Sequence, residues 1–115
     1  MNENWNIYFI ILPYIITAAG SVGTIFSLSS YATSTIEEVA AHSPETLKFF
    51  QLYIVAGDVG KQIAMDLVRK AEKYGYKAIM LTVDSPQLGV RYNSLRNQFR
   101  LPPHLRYSIW HILRP

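Results

Sequence analysis

Three observations predict an α/β domain with a parallel sheet covered by helices. From Gly23 onward, β-branched and aromatic runs alternate with helical periodicity over short connections, the arrangement of βαβ units. Ala78–Val83 is apolar without interruption, as parallel strands are when both faces are buried. The length of 115 residues suits one domain, and with 50% hydrophobic and 17% charged residues the chain is too apolar to stay disordered.

The N-terminal stretch stands apart from this alternation. Between Met1 and Ile36 the one charged side chain is Glu3, and Tyr8–Leu12 and Tyr14–Ala19 are almost wholly apolar. Over a window of about 19 residues the stretch sits near the threshold for a spanning helix. Pro13, Gly20 and Gly23 interrupt it, and Met1–Asn6 lacks the positive charge that opens a secretory signal. Two readings stay open, a membrane or signal segment and a buried strand or helix of a soluble fold.

Gly23–Ser29 is the first strand, β-branched and aromatic between a glycine and polar residues. Ser34 and Thr35 stand three residues before Glu37 and Glu38, a doubled capping-box signal for a helix over 35–42 that Ser43-Pro44 breaks. Leu47–Ile54 reads as the second strand. Gly57-Asp58 follows, with Asp58 a candidate N-cap, and Ile63, Ala64, Leu67, Val68 and Ala71 fall on one helical face before Tyr74. Gly75 occupies the place of a left-handed C-terminal cap, and Lys77–Val83 is the third strand. After Asp84 the pattern is irregular: Ser85-Pro86 and Leu88-Gly89 make a loop, Tyr92–Phe99 a short helix, and Leu101-Pro102-Pro103 its end.

Composition removes several function classes. Without cysteine there is no disulfide framework and no thiolate metal site or nucleophile. The net charge of +3 comes from scattered Lys and Arg, which gives nucleic acid no electrostatic footprint. Neither a Gly-x-Gly-x-x-Gly after a strand nor a Walker loop is present. His42, His104 and His111 fall in a helix end or loops and read as surface histidines, and Glu37-Glu38 as a helix cap. Arg91 and Arg96 are candidate ligands for an anion, against the default of solvated arginines.

In parallel α/β folds, ligands sit beyond the carboxyl ends of the strands. The three strands end in Ser29-Ser30, in Gln51-Leu52-Tyr53 and in Thr82-Val83-Asp84. Residues two apart in a strand share a face, which pairs Gln51 with Tyr53 and Thr82 with Asp84. Each residue alone could be a turn or cap residue. Polar groups at three successive carboxyl ends point to a site.

Thr24–Ala40, Phe50–Ile54 (Phe-Gln-Leu-Tyr-Ile), Ala78–Gly89 (Ala-Ile-Met-Leu-Thr-Val-Asp-Ser-Pro-Gln-Leu-Gly) and Leu95-Arg96-Asn97-Gln98-Phe99-x-Leu-Pro-Pro resemble the FMN-dependent 2-hydroxy-acid oxidases, the glycolate oxidase-like enzymes. The likeness runs from about Ala18 to Arg106 in matched order, with the Asp58–Asp66 region about three residues longer than usual. It implies a partial TIM-type (β/α)8 barrel, units two to four of eight, in residues 18–115, with residues 1–17 an apolar segment that does not match. By the same resemblance, Ser29, Gln51 and Thr82 hold the ring of FMN, and Tyr53 binds the 2-hydroxy acid. Asp84 is implied to orient the catalytic histidine, and Arg91 to lie in the active-site region. Tyr31 stands where the family often has a tryptophan over the substrate.

The first barrel strand of the family has no counterpart in Asn4–Thr17. Neither the lysine that compensates flavin charge, nor the base histidine with its neighbouring arginine, nor the phosphate-binding glycine loops match any of the 115 residues. The resemblance further implies homo-oligomers and a peroxisomal location, although Leu113-Arg114-Pro115 is not an SKL-type signal. Two functions from different classes follow: a piece of a 2-hydroxy-acid oxidase, inactive by itself, or a small non-catalytic protein held at a membrane by Ile7–Ala19, with the barrel remnant as an interaction surface.

Overall fold

A computed structural model describes residues 6–84, 89–101, 103 and 105–107, with the backbone alone for 6–11. The elements are α1 (Asn6–Ser21), β1 (Phe26–Ser29), α2 (Ile36–His42), β2 (Lys48–Leu52), α3 (Asp58–Lys73), β3 (Ala78–Leu81) and α4 (Tyr92–Arg96). β1, β2 and β3 form one parallel sheet in that order, with Ser29 opposite Gln51 and Gln51 opposite Met80. The predicted alternation of strand and helix is therefore present, with strands shorter than their sequence limits.

The N-terminal stretch is a helix. Pro13 and Gly20 lie inside α1 rather than interrupting it, because a 16-residue helix survives one missing backbone donor and one flexible residue. Gly23 does end it: at φ +68° it lets Thr24 N donate to Ala19 O, so the strand ladder begins only at Phe26, whose N–H donates to Leu47 O. Ile16 is fully buried, whereas Tyr14 and Ile15 are exposed. Among the described residues no helix is long and apolar enough to cross a membrane.

α2 has a complete capping box: Thr35 Oγ1 accepts from Glu38 N at 3.2 Å, and Glu38 Oε2 accepts from Thr35 N at 2.8 Å. Of the two candidate pairs, Thr35 with Glu38 forms the cap. Glu37 instead reaches α3, where its carboxylate lies 2.8 Å from Lys70 Nζ. Burial pushes the Glu37 carboxyl up, but Lys70 and nearby hydrogen-bond donors bring it net below its ordinary range. Asp58 is not the N-cap of α3. Gly57 takes that position, with φ +89° and no side-chain bond, and Asp58 becomes the first helical residue, paired with Lys61 at 3.3 Å.

One face of the sheet, Phe26, Leu28, Phe50 and Leu52, packs against Ile16 of α1, Ile36 and Val39 of α2, and Ile63, Leu67 and Ala71 of α3. The opposite face carries Ser27, Ser29, Phe49, Gln51 and Met80, by strand alternation and register. The expectation that both faces of the third strand are buried is not met: Ile79, Met80 and Leu81 are 39%, 49% and 51% exposed. β3 is an edge strand of the sheet, and no helix of the described chain follows it closely enough to cover Ile79 and Leu81.

Candidate functional site

The parallel register brings the strand ends level, and three of the predicted residues meet there. Gln51 Oε1 accepts from Ser29 Oγ at 3.2 Å and from Ser30 N at 3.3 Å, while Gln51 Nε2 donates to Thr82 Oγ1 at 2.7 Å. Ser29 Oγ in turn accepts from Tyr31 N at 3.1 Å. A polar ladder thus crosses all three strands on the face opposite the helices. It joins residues 22 and 31 positions apart in sequence.

Counting donors shows what the ladder can still bind. Ser29 uses its hydrogen on Gln51, and Gln51 Oε1 already accepts twice. Thr82 accepts from Gln51 and keeps its own hydroxyl hydrogen, and Gln51 Nε2 keeps a second N–H. Two donors from adjacent strands suit the polar, carbonyl-bearing edge of a flat heterocycle. The ladder contains no cation for a phosphate.

Tyr53 follows β2, and its backbone N–H donates to Ser30 Oγ at 3.3 Å. Its ring stands 6.2 Å from that of Tyr31, which meets Tyr107 edge-on at 5.7 Å. These rings make an aromatic wall beside the ladder. Nothing in the sequence singles out Tyr107, because a lone tyrosine in an irregular segment carries no periodicity or motif. Asp84 and Arg91 are not brought in: both are exposed, and among the described residues no hydrogen bond or ion pair links either to the ladder. Arg91 is the N-cap of α4, and Arg96 its last residue. Ser85–Leu88, Pro102, His104 and His111 lie outside the described residues. His42 ends α2, its Nδ1 2.8 Å from Glu38 O, away from the ladder's strand ends.

The family described as FMN-dependent dehydrogenase matches residues 13–114, a stretch that begins within α1. The chain is 53% identical over 91 residues to 2-hydroxyacid oxidase 1 of Homo sapiens, covering 79% of this chain and 24% of that protein. To glycolate oxidase 1 of Zea mays it is 51% identical over 88 residues, 76% of this chain and 23% of the relative. The chain thus spans about a quarter of the length of the curated relatives it matches.

Among solved structures, a soluble mutant of the membrane-associated (S)-mandelate dehydrogenase from Pseudomonas putida superposes with a TM-score of 0.80 at 29% identity, covering 96% of this chain and 30% of that one. Mandelate oxidase with (S)-2-phenylpropionate gives 0.75 at 32% identity, covering 85% and 28%. The parallel strands and covering helices are therefore a sector of the TIM-type barrel of these flavoenzymes. With the family match spanning nearly the whole chain, and with these relatives so similar over the part they share with it, this chain belongs to the FMN-dependent dehydrogenases.

Proposed function

We propose that the chain supplies one wall of the active site of an FMN-dependent (S)-2-hydroxy-acid oxidase, which converts a 2-hydroxy acid and oxygen to a 2-oxo acid and hydrogen peroxide. The observation that carries this reading is the Ser29–Gln51–Thr82 ladder at the carboxyl ends of three parallel strands. In it, Ser29, Gln51 and Thr82 hold the flavin ring, with the free hydrogens of Gln51 and Thr82 as donors. Tyr53 hydrogen-bonds the substrate, Tyr31 bounds the space for its side chain, and Arg91, exposed at the start of α4, belongs to the substrate side of the active-site region by the family resemblance. Bound FMN supplies the two-electron acceptor for the substrate's C–H bond. Asp84 orients a histidine base for which the 115 residues contain no counterpart, so the 115-residue polypeptide alone does not turn over.

The ring contacts alone do not hold FMN. Two hydrogen bonds at about 1 kcal/mol net each fall short of the ~4 kcal/mol or more that immobilising a ligand costs. The 115-residue polypeptide is expected to purify colourless and to leave FMN fluorescence unquenched at micromolar concentration. The positive test is a chimera in which residues 13–107 replace their counterparts in the human relative. It is expected to bind FMN and consume oxygen with a 2-hydroxy acid, and to lose flavin when Gln51→Leu is added. A folded chimera that binds no flavin, or one indifferent to Gln51→Leu, would sink the proposal.

A further inference from the structure

Lys48 is the first residue of β2 and is 3% exposed, a burial that charged side chains reach only when fully partnered. Its Nζ lies 2.9 Å from each of three backbone oxygens, Ser43 O, Pro44 O and Thr46 O. Three acceptors without hydrogens meet the three donors of one ammonium, and a neutral amine would leave one of them unmatched. All three belong to the turn that follows α2.

That turn also touches α1, which packs against α2 and β1 as well. Thr46 is 4% exposed, and its Oγ1 donates to Ile16 O at 3.2 Å and lies 2.6 Å from Ser43 Oγ. The bond to Ile16 O crosses from the turn to the middle of α1, where the carbonyl also serves the helix. Gly20, one turn further along α1, faces the same hydroxyl so closely that any Cβ there would collide with it. The Ile16 side chain, fully buried, is the point at which α1 enters the core.

These two sets of contacts share Thr46. We propose that Lys48 is an electrostatic latch for α1: its ammonium fixes the 43–46 turn, and the turn, through Thr46, holds the apolar helix against the sheet. The role is positional and separate from the ladder, which lies at the opposite end of the strands. Releasing the latch frees α1 while β2, β3 and α3 keep their own packing.

Amide hydrogen exchange on the full 115-residue chain, dilute and followed by mass spectrometry, tests this. In Lys48→Met, which keeps the stem and removes the charge, exchange in residues 12–21 and 43–47 is expected to rise at least tenfold, with residues 60–73 changed less than twofold. Thr46→Val, which leaves Lys48 and its three carbonyls in place, is expected to open residues 12–21 in the same way. Unchanged protection of α1 in either variant overturns the latch. So does a uniform loss that includes α3, because Lys48 would then support the whole core rather than one helix.

Discussion

Gly60, in the first turn of α3, shows how much one atom can decide. A Cβ there would overlap the backbone carbonyl of Val55, so the main chain of the connection between β2 and α3 would have to shift. Gly60→Ala is therefore expected to destabilise the fold by about 1–3 kcal/mol, the usual range for forced overpacking, although alanine is the better helix former. Urea unfolding checks it. The Glu37–Lys70 pair is a second case, with side chains 32% and 42% exposed. Screening at that exposure limits the pair to less than about 1 kcal/mol. Because the folded Glu37 carboxyl is lowered, its contribution is complete above its ordinary range near pH 4.3 and is lost as pH falls through the lower folded value. Glu37→Gln should flatten that acid-side decline and leave the difference between pH 6 and 8 unchanged. A decline as steep as in the parent chain would count against the ion pair.

Among the elements, α2 depends most on its cap. Seven residues are too few to hold a helix by propagation, so the box between Thr35 and Glu38 and the burial of Ile36 and Val39 do so together. Thr35→Ala should cost about 1 kcal/mol in a denaturant titration, and Ser34→Ala should not reproduce it through the cap, since Ser34 takes no part in the box. Beside it, Tyr76 in the turn between α3 and β3 ties α2 to the sheet: its hydroxyl donates to Ile36 O at 3.2 Å and its ring meets Phe50 of β2 edge-on at 6.2 Å. Burial, with the Glu37 charge adding to it, raises the Tyr76 phenol far above its ordinary range, so it stays a donor throughout the neutral pH range.

At the scale of the whole molecule, the sheet has two open edges among the described residues, and they are unlike. On the helix side of β1, Phe26 and Leu28 are buried, whereas on β3 Ile79 and Leu81 are left half in water. An apolar outer strand with unpaired backbone groups is a site for pairing with another chain. The isolated 115-residue polypeptide is expected to self-associate as concentration rises, and Ile79→Lys with Leu81→Glu to suppress this while leaving the Gln51–Thr82 ladder on the other face intact. Light scattering over a dilution series decides, and a monodisperse monomer of the parent chain at high concentration would contradict it.

The amino-acid sequence determined the parts of this fold that are local. Capping chemistry announced α2 at Thr35, the 3.6-residue periodicity of Ile63, Ala64, Leu67 and Ala71 announced α3, and Gly75 adopts the left-handed conformation, φ +78°, that its position demanded. The polar strand ends were legible as well, because alternation and parallel topology suffice to put Ser29, Gln51 and Thr82 on one face. What the sequence left open depends on contacts between distant segments. Apolar Asn6–Ser21 has no periodicity that separates strand from helix, and only its seat against Thr46 and the core makes it α1. Lys48 reads as the polar start of a strand until the turn before β2 folds three carbonyls onto it. The apolar run of β3 looked buried on both faces because side-chain character records the surroundings a strand is suited to, whereas exposure is set by which neighbours are present.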